Sequence, residues 1–477
     1  MVFSSPLFLF FFLPITLALT FLFKTSRYKN LLLLCLSVLF YIIGEGELVI
    51  LMFGSITLNF FIGKWIGNSS GKTAITFGVI LNLLIIIIYK YTGFIIENMN
   101  PLFIAIGFEA IPKFSIKLPA GISFYTFHSI SYLIDVYRKD NKVQKSYVDM
   151  ALYISLFPQL IAGPIIRYKD IAYQFSRRTF SSARFKTGVE RFIIGLGKKA
   201  ILANTLGYNT DLMFSLNPSD LSTPTAWLAI VSYSLQLYFD FSGYSDMAIG
   251  LAKMVGFDFL ENFNFPYKAK SIKEFWTRWH ISLSNWFRDY LYIPLGGNRV
   301  NPFRLYLNLS IVFFLTGLWH GASWNFIIWG MIHGFFMIME RLWLSKILVK
   351  TGFFQHIYTL MVVMLAWAFF RIETLGKAMV FLKSLFGINN ISSITSDMYL
   401  SREHSIALVI ALFLSFNVFN EFSRKLVFGI MRSNKYSLAS IKMGTRNLKS
   451  IGLVLIFIYS CLSVASSSYN PFIYFRF

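Results

Sequence analysis

The sequence predicts an all-α polytopic membrane protein, with about eleven transmembrane helices and additional re-entrant and interfacial helices. Three observations predict it. Hydrophobic residues make up 56% of the 477-residue chain and charged residues 14%, where a soluble chain carries about 25% charged. Mean hydropathy is +0.60. The apolar excess is gathered into runs long enough to cross a bilayer. A soluble globular protein, a disordered chain and a nucleic-acid module all fit this composition poorly.

The first element is the apolar run from Leu7 to Phe23. No cationic stretch precedes it, and Lys24, Arg27 and Lys29 follow it. A secretory signal has the reverse charge order and a small-residue cleavage site. The run is therefore read as an uncleaved span, with the N-terminus outside and the Lys24–Lys29 segment in the cytoplasm. Further candidate spans are 31–43, 47–66, 74–92, 100–112, 119–136, 148–166, 188–206, 225–252, 305–319, 323–345, 354–371, 405–422 and 449–467. Some are too short or too polar to cross fully and are expected to be re-entrant or interfacial.

Two stretches break the apolar pattern. Residues 167–187 mix cations with aromatics, which predicts an amphipathic helix on the cytoplasmic surface. Residues 262–304 are too polar to face lipid, yet too rich in Trp, Phe and Tyr for a solvated loop. That mixture suits a segment folded into the protein at membrane depth, where irregular backbone must be buried or line a cavity. No repeat, low-complexity tail or linker interrupts the chain, so 1–477 reads as one integral-membrane domain.

Aromatic residues reach 18%, as lipid-facing Phe and interfacial Tyr and Trp would require. Lys and Arg number 44 against 22 Asp and Glu, a net charge of +22. In a membrane protein this excess reads as cytoplasmic loops beside anionic lipid, not as a nucleic-acid surface. Such a basic face would also draw in an anionic donor, such as a phosphorylated cofactor. Cys35 and Cys461 each lie in an apolar run and form no redox or disulfide pattern.

Ionisable residues inside a bilayer are expensive and mark candidate sites. His356 and His404 fall at span edges and read as interfacial. His128, in GISFYTFHS, reads as a packing histidine bonded to a neighbouring helix. His320 sits in LTGLWHGASWNFIIWG with Gly317 and Gly321 beside it, which admit a ligand or helix close to the backbone. A dry site favours the uncharged imidazole, which can accept a proton from a hydroxyl near neutral pH. The plainer reading is a buried histidine bonded to a carbonyl.

His280 lies in FWTRWHISLSNWFRDYL with Arg278, Arg288 and Asp289 nearby. On a continuous helix Arg278 and Ser282 flank its face and Ser284 shares its side. A second histidine in the other anomalous segment suggests two polar segments meeting at one internal site. Alternatively, His280 caps a turn while the arginines snorkel. Asp240 and Asp246, in YFDFSGYSDMA, need cationic partners inside an apolar run. Arg278 or Arg288 would serve, in a structural more than a catalytic role. His320 and His333 are 13 residues apart, which on one helix leaves them about 140° apart. No metal motif, nucleophile elbow, P-loop or dinucleotide fingerprint is present.

Taken together, the motifs resemble the membrane-bound O-acyltransferase family, in its bacterial alginate O-acetyltransferase-like branch. They are MVFSSPLFLFFFLP, PAGISFYTF at 119–127, FPQLIAGPI at 157–165, YFDFSGYSDMAIG at 238–250, NFNFPY at 262–267, FWTRWHISLSNWFRDYLYIPLGGN at 275–298 and LTGLWHGASWNFIIWG at 315–330. They span most of the chain in family order. One departure is His128, where the family is expected to carry Gln. That puts any role of His128 in doubt.

The resemblance implies a helical bundle with a funnel on each side of the bacterial inner membrane, meeting at a buried histidine. It implies His320 as the catalytic histidine and His280 as a second, less universal position. An acyl thioester, acetyl-CoA, would be the donor from the cytoplasmic side, with no bound cofactor or metal. The acyl group would leave on the outer side, through a periplasmic SGNH-type acetyltransferase, for a polysaccharide such as alginate, another exopolysaccharide or peptidoglycan. His280, with Asn285 or Asn325, would orient the carbonyl or steady its oxyanion. Trp319, Ser323 and Trp324 are tunnel candidates. A D-alanyl transferase drawing on a carrier protein would share every motif. A transporter using intramembrane His and Asp, or a scaffold for periplasmic enzymes, are the readings from other classes.

Overall fold

The computed structural model describes residues 1–23, 25–69, 71–112, 116–388, 395–418, 421–425, 428, 438–466 and 469–471. Lys24, residues 419–420 of the expected span 405–422, and residue 467 lie outside them. Regular structure among the described residues is helical.

A π turn, Phe8–Phe12, leads into α1 (Leu13–Leu22). Then α2 (Ser26–Glu45) and α3 (Val49–Ser69) pack together across Gly46, whose φ of +62° suits glycine. Next, α4 (Lys72–Ile86) continues through the π turn Ile87–Tyr91 into α5 (Thr92–Ala105). Shorter pieces follow: α6 (Ile122–Tyr137), α7 (Tyr147–Ser155), α8 (Phe157–Leu160) and α9 (Tyr168–Ile171). A π turn, Lys198–Ala203, joins α10 (Ser182–Gly197) to α11 (Asn204–Ser215).

The 32-residue α12 (Thr223–Met254) is buried along most of its length. It packs on α10 through two glycine pairs. A Cβ on Gly195 would stand 2.5 Å from the Gly243 carbonyl, and one on Gly250 would stand 2.6 Å from that of Gly188. No side chain fits there, so the backbones touch. After α12 come α13 (Ile272–Arg278), α14 (Ile281–Phe287), α15 (Pro302–His320), α16 (Trp324–Met339), α17 (Ser345–Leu348), α18 (Phe354–Arg371), α19 (Leu375–Leu385), α20 (Arg402–Ser415) and α21 (Leu438–Ser466).

Side-chain contacts define two ends of the bundle. At one, Tyr41 bonds the Ala120 carbonyl, Lys90 bonds the carbonyl of Trp319, and Asn470 bonds Ser4. At the other, Asn30 bonds Asp149, Arg138 bonds the Asp289 carbonyl, and Glu340 accepts from the Ile272 N–H. The second end carries a cluster of loop cations, Arg138, Lys139, Lys142, Lys145, Arg167 and Lys169. It is called the cation-rich end below.

Six helical segments among the described residues are long and apolar enough to cross a membrane, against the eleven or so expected. Two of them, Ser26–Ser69 and Lys72–Ala105, merge runs that the sequence separates. Elsewhere α6 has only 16 residues, and α12 is long but carries Asp240 and Asp246.

Four expectations need correction. Residues 167–187 are not one surface helix: Tyr168, Ile171 and Phe175 are buried, and α10 begins only at Ser182. Burial of that aromatic face, and the Arg167 pair with Asp170 at 2.7 Å, override the helical period. Arg278 and Arg288 do not partner the α12 carboxylates. Asp240 pairs with Lys199 at 2.7 Å, and Asp246 pairs with Arg191 and Lys198 at 2.6 Å each. These cations come from α10 and its π turn, which the glycine contact presses against α12. Arg278 instead pairs with Glu274 one turn back at 2.8 Å, and Arg288 with the adjacent Asp289 at 2.8 Å. His404 is buried, its Nε2 3.1 Å from the Ser232 hydroxyl. His128 is buried against the Tyr153 ring, and neither of its ring nitrogens has a hydrogen-bond partner among the described residues.

Candidate active site

His320 is the last residue of α15. The chain turns to an extended Gly321, so the helix stops there. α15 and α16 cross closely: a Cβ on Gly317 would lie 2.3 Å from the Phe326 carbonyl, and one on Gly330 would lie 2.3 Å from that of Phe313. This crossing holds the imidazole in an aromatic box. Trp319 and Trp329 meet it edge-on at 4.9 Å between centroids, and Phe370 does so at 5.2 Å. The residue is 5% exposed.

His280 breaks the helix expected through it. It separates α13 from α14 at φ +45°, so its neighbours at 278, 282 and 284 do not follow a helical face. The strand-like stretch at 262–264 takes the place of the missing turn. Ile281 donates to the Asn262 carbonyl at 2.9 Å, and Asn264 donates to that of Arg278 at 2.9 Å. The Asn262 Oδ1 lies 3.2 Å from His280 Nδ1 and accepts from the Ser282 N–H at 3.2 Å and its hydroxyl at 2.9 Å. The Asn262 oxygen and the Ser282 hydroxyl, 3.5 Å from Nδ1, together fix the orientation of the His280 ring. Phe241 packs edge-on to the ring at 4.7 Å.

Both histidines pack against one side chain. The Trp319 ring lies 6.1 Å from His280 and 4.9 Å from His320. Cavities approach this trio from both ends. One of about 210 Å³ is lined by Glu45, Lys90, Ser123, Trp319 and His320 itself. The other, about 820 Å³ and near the cation-rich end, is lined by Arg191, Lys198, Asp246, Glu261, Phe263 and Ile281. Phe263 stacks on His280 at 6.5 Å, so the second cavity stops one ring short of it.

The other expected residues scatter. Ser323 lines a separate cavity of about 830 Å³ that also holds Asp211 and Arg371. Trp324 is half-exposed and donates to the Asn98 side chain at 2.8 Å. The amide of Asn325 donates to the Ile372 carbonyl at 2.5 Å, tying α16 to the end of α18. Asn285 is half-buried on α14, and the amide that touches His280 is Asn262. Asp289 is held by Arg167 and by Lys169 at 3.4 Å.

Sequence reading passed over two residues. Asn262 opens the NFNFPY motif but carries no charge to draw attention. Lys90 is an ionisable residue inside the run IIIIYKY, a signal by itself. Its Nζ donates to the Trp319 carbonyl at 2.5 Å, to that of His320 at 3.3 Å and to the Ser123 hydroxyl at 3.3 Å.

Residues 137–376, which contain both histidines and the Trp between them, match the family described as MBOAT, membrane-bound O-acyltransferase family. The chain belongs to the membrane-bound O-acyltransferase family. It is 39% identical to a probable alginate O-acetylase AlgI of Azotobacter vinelandii, over 100% of both chains. It is 33% identical to a peptidoglycan O-acetyltransferase of Helicobacter pylori, over 100% of this chain and 98% of that one. A teichoic acid D-alanyltransferase of Bacillus subtilis is 29% identical, over 52% of this chain and 67% of its own length. The protein is an integral membrane O-acyltransferase.

Proposed function

We propose that the protein moves an acetyl group from acetyl-CoA, held at the cation-rich end, to a hydroxyl that reaches His320 from the opposite end. The product is the O-acetyl group of an exported polysaccharide of the alginate or peptidoglycan kind, delivered through a periplasmic SGNH-type partner. In this reading the cation-rich end faces the cytoplasm of a bacterial inner membrane and the N-terminus lies outside. The observation that carries it is that His320 lines one cavity while Phe263, stacked on His280 at 6.5 Å, lines the other. The names of the O-acetylating relatives support the acetyl group and the polysaccharide.

The chemistry needs few parts. His320 accepts the hydroxyl proton as the oxygen attacks the thioester carbonyl carbon. The carbon–sulfur bond breaks, and the imidazolium returns its proton to the departing thiolate. An acetyl group is small and uncharged and can pass an apolar bore that excludes the anionic donor. Arg191 and Lys198 line the wider cavity paired with Asp246 and Glu261, so the donor's phosphates would share these cations with the carboxylates.

His280 has a narrower role than the sequence suggests. Held in place by Asn262, the ring is read as binding the thioester donor and not as cradling an oxyanion. His280→Ala is then expected to raise KM for the donor by about two- to tenfold, the worth of one neutral hydrogen bond, with kcat little changed. A kcat loss of about 10²–10³-fold at constant KM would instead restore the oxyanion role.

Purified protein in detergent, supplied with labelled acetyl-CoA, tests the proposal. Label should pass to an added acceptor or to water. Silence with acetyl-CoA, joined to turnover with an aminoacyl carrier protein, would replace acetyl by D-alanyl, the group named for the Bacillus subtilis relative.

A further inference from the structure

The end of α15 presents carbonyls that no helical N–H can reach. The last four C=O groups of any helix are in this position, and together they carry about half a negative charge. Here they lie beside the residue proposed as the base. Two consecutive side chains from the π turn Ile87–Tyr91 cover them. The Tyr91 hydroxyl donates to the Leu318 carbonyl at 2.7 Å. Lys90 Nζ reaches the Trp319 carbonyl at 2.5 Å, the His320 carbonyl at 3.3 Å and the Ser123 hydroxyl at 3.3 Å.

The count of acceptors matters. An ammonium has three N–H donors, and three acceptors meet it. The Lys90 amino group therefore sits at the negative pole of α15, where a positive charge is favoured. It also ties that pole to Ser123 near the start of α6. An ordinary α-helix sets neighbouring side chains 100° apart. The π turn is a local departure from that geometry, of the kind often found at functional sites. It lets residues 90 and 91 serve the same helix end. Lys90, Ser123 and Trp319 line the small cavity into which His320 opens.

We infer that Lys90 is a positioning residue for His320: with Tyr91 it clamps the carbonyl end of α15, fixing the imidazole where a hydroxyl arrives, without itself touching the reacting atoms. The inference rests on His320 being the base. In catalysis of this kind a misplacement of about 1 Å lowers the rate about 10²-fold. The box of Trp319, Trp329 and Phe370 confines the ring sideways, and the backbone clamp adds a hold along α15 to that of the glycine crossing.

The test is a double-mutant cycle on the full-length protein with acetyl-CoA as donor. Lys90→Met should lower kcat about 10²-fold, with KM for acetyl-CoA within about twofold and an unchanged thermal midpoint. In a His320→Ala background the same change should have no further effect, because the group it positions is gone. Lys90→Arg, which keeps the charge and several donors, should recover part of the rate. If Lys90→Met does not fold, Tyr91→Phe decides in its place, with a severalfold kcat loss that disappears in the His320→Ala background. A kcat within twofold of the parent, or an equal loss with and without His320, would overturn the inference. Should His320→Ala itself retain full activity, the base assignment fails, and that outcome is separate from additivity in the cycle.

Discussion

His320→Ala should lower kcat about 10²–10⁴-fold, the contribution of one positioned general base. KM for the donor should stay near its parent value, since the ring acts on the hydroxyl and not on the thioester's handle. The box around the ring makes this expectation specific. Three aromatic rings with centroids within 5.2 Å hold the imidazole in one place, which alanine would leave without a base. A histidine kept only for packing would behave differently. Its removal would lower the thermal midpoint while the surviving folded molecules turned over normally. Activity per folded molecule, with folding followed by tryptophan fluorescence, separates the two cases.

Lys199→Met should destabilise the protein by about 3–5 kcal/mol, the penalty for leaving one partner of a buried ion pair behind. The pair with Asp240 is 2.7 Å long, and neither side chain exceeds 3% exposure. Lys199 also donates to the Pro471 carbonyl, so one cation ties α12, the π turn after α10 and the C-terminal residues together. The double change Lys199→Met with Asp240→Leu should recover most of the loss, because a well-packed apolar pair often matches a buried ionic one. The readout is the thermal midpoint in detergent. A double variant no more stable than the single one would mean that the charges themselves are required.

The sequence revealed the two histidines for a physical reason. His320 and His280 sit in runs where polar groups are expensive, so their presence stands out against the apolar background. The same logic applied to Lys90, yet a single cation in IIIIYKY reads as a snorkelling side chain until its acceptors are known. The partners of Asp240 and Asp246 were beyond reach because pairing depends on which helix crosses α12. That crossing is set by Gly188, Gly195, Gly243 and Gly250, residues that carry no chemistry of their own. The break at His280 was equally hidden. Its surroundings carry a helix-compatible pattern, and only the hydrogen bonds from residues 262–264 make two short helices better than one. Span boundaries suffered where π turns and Gly46 join or bend apolar runs without any change in hydropathy. The buried character of 262–290 was legible, since aromatic and charged residues together have few other places to go, but 291–304, expected to be buried with it, is mostly exposed.

The most direct measurement places the protein in sealed vesicles in one orientation, with labelled acetyl-CoA on one side and a hydroxyl acceptor on the other. With the donor at the cation-rich end, the account predicts transfer across the membrane, and a drop of at least about 10²-fold for inserted, folded His320→Ala. Transfer by that variant at the parent rate, or transfer only when the donor is supplied from the Glu45 end, would contradict it.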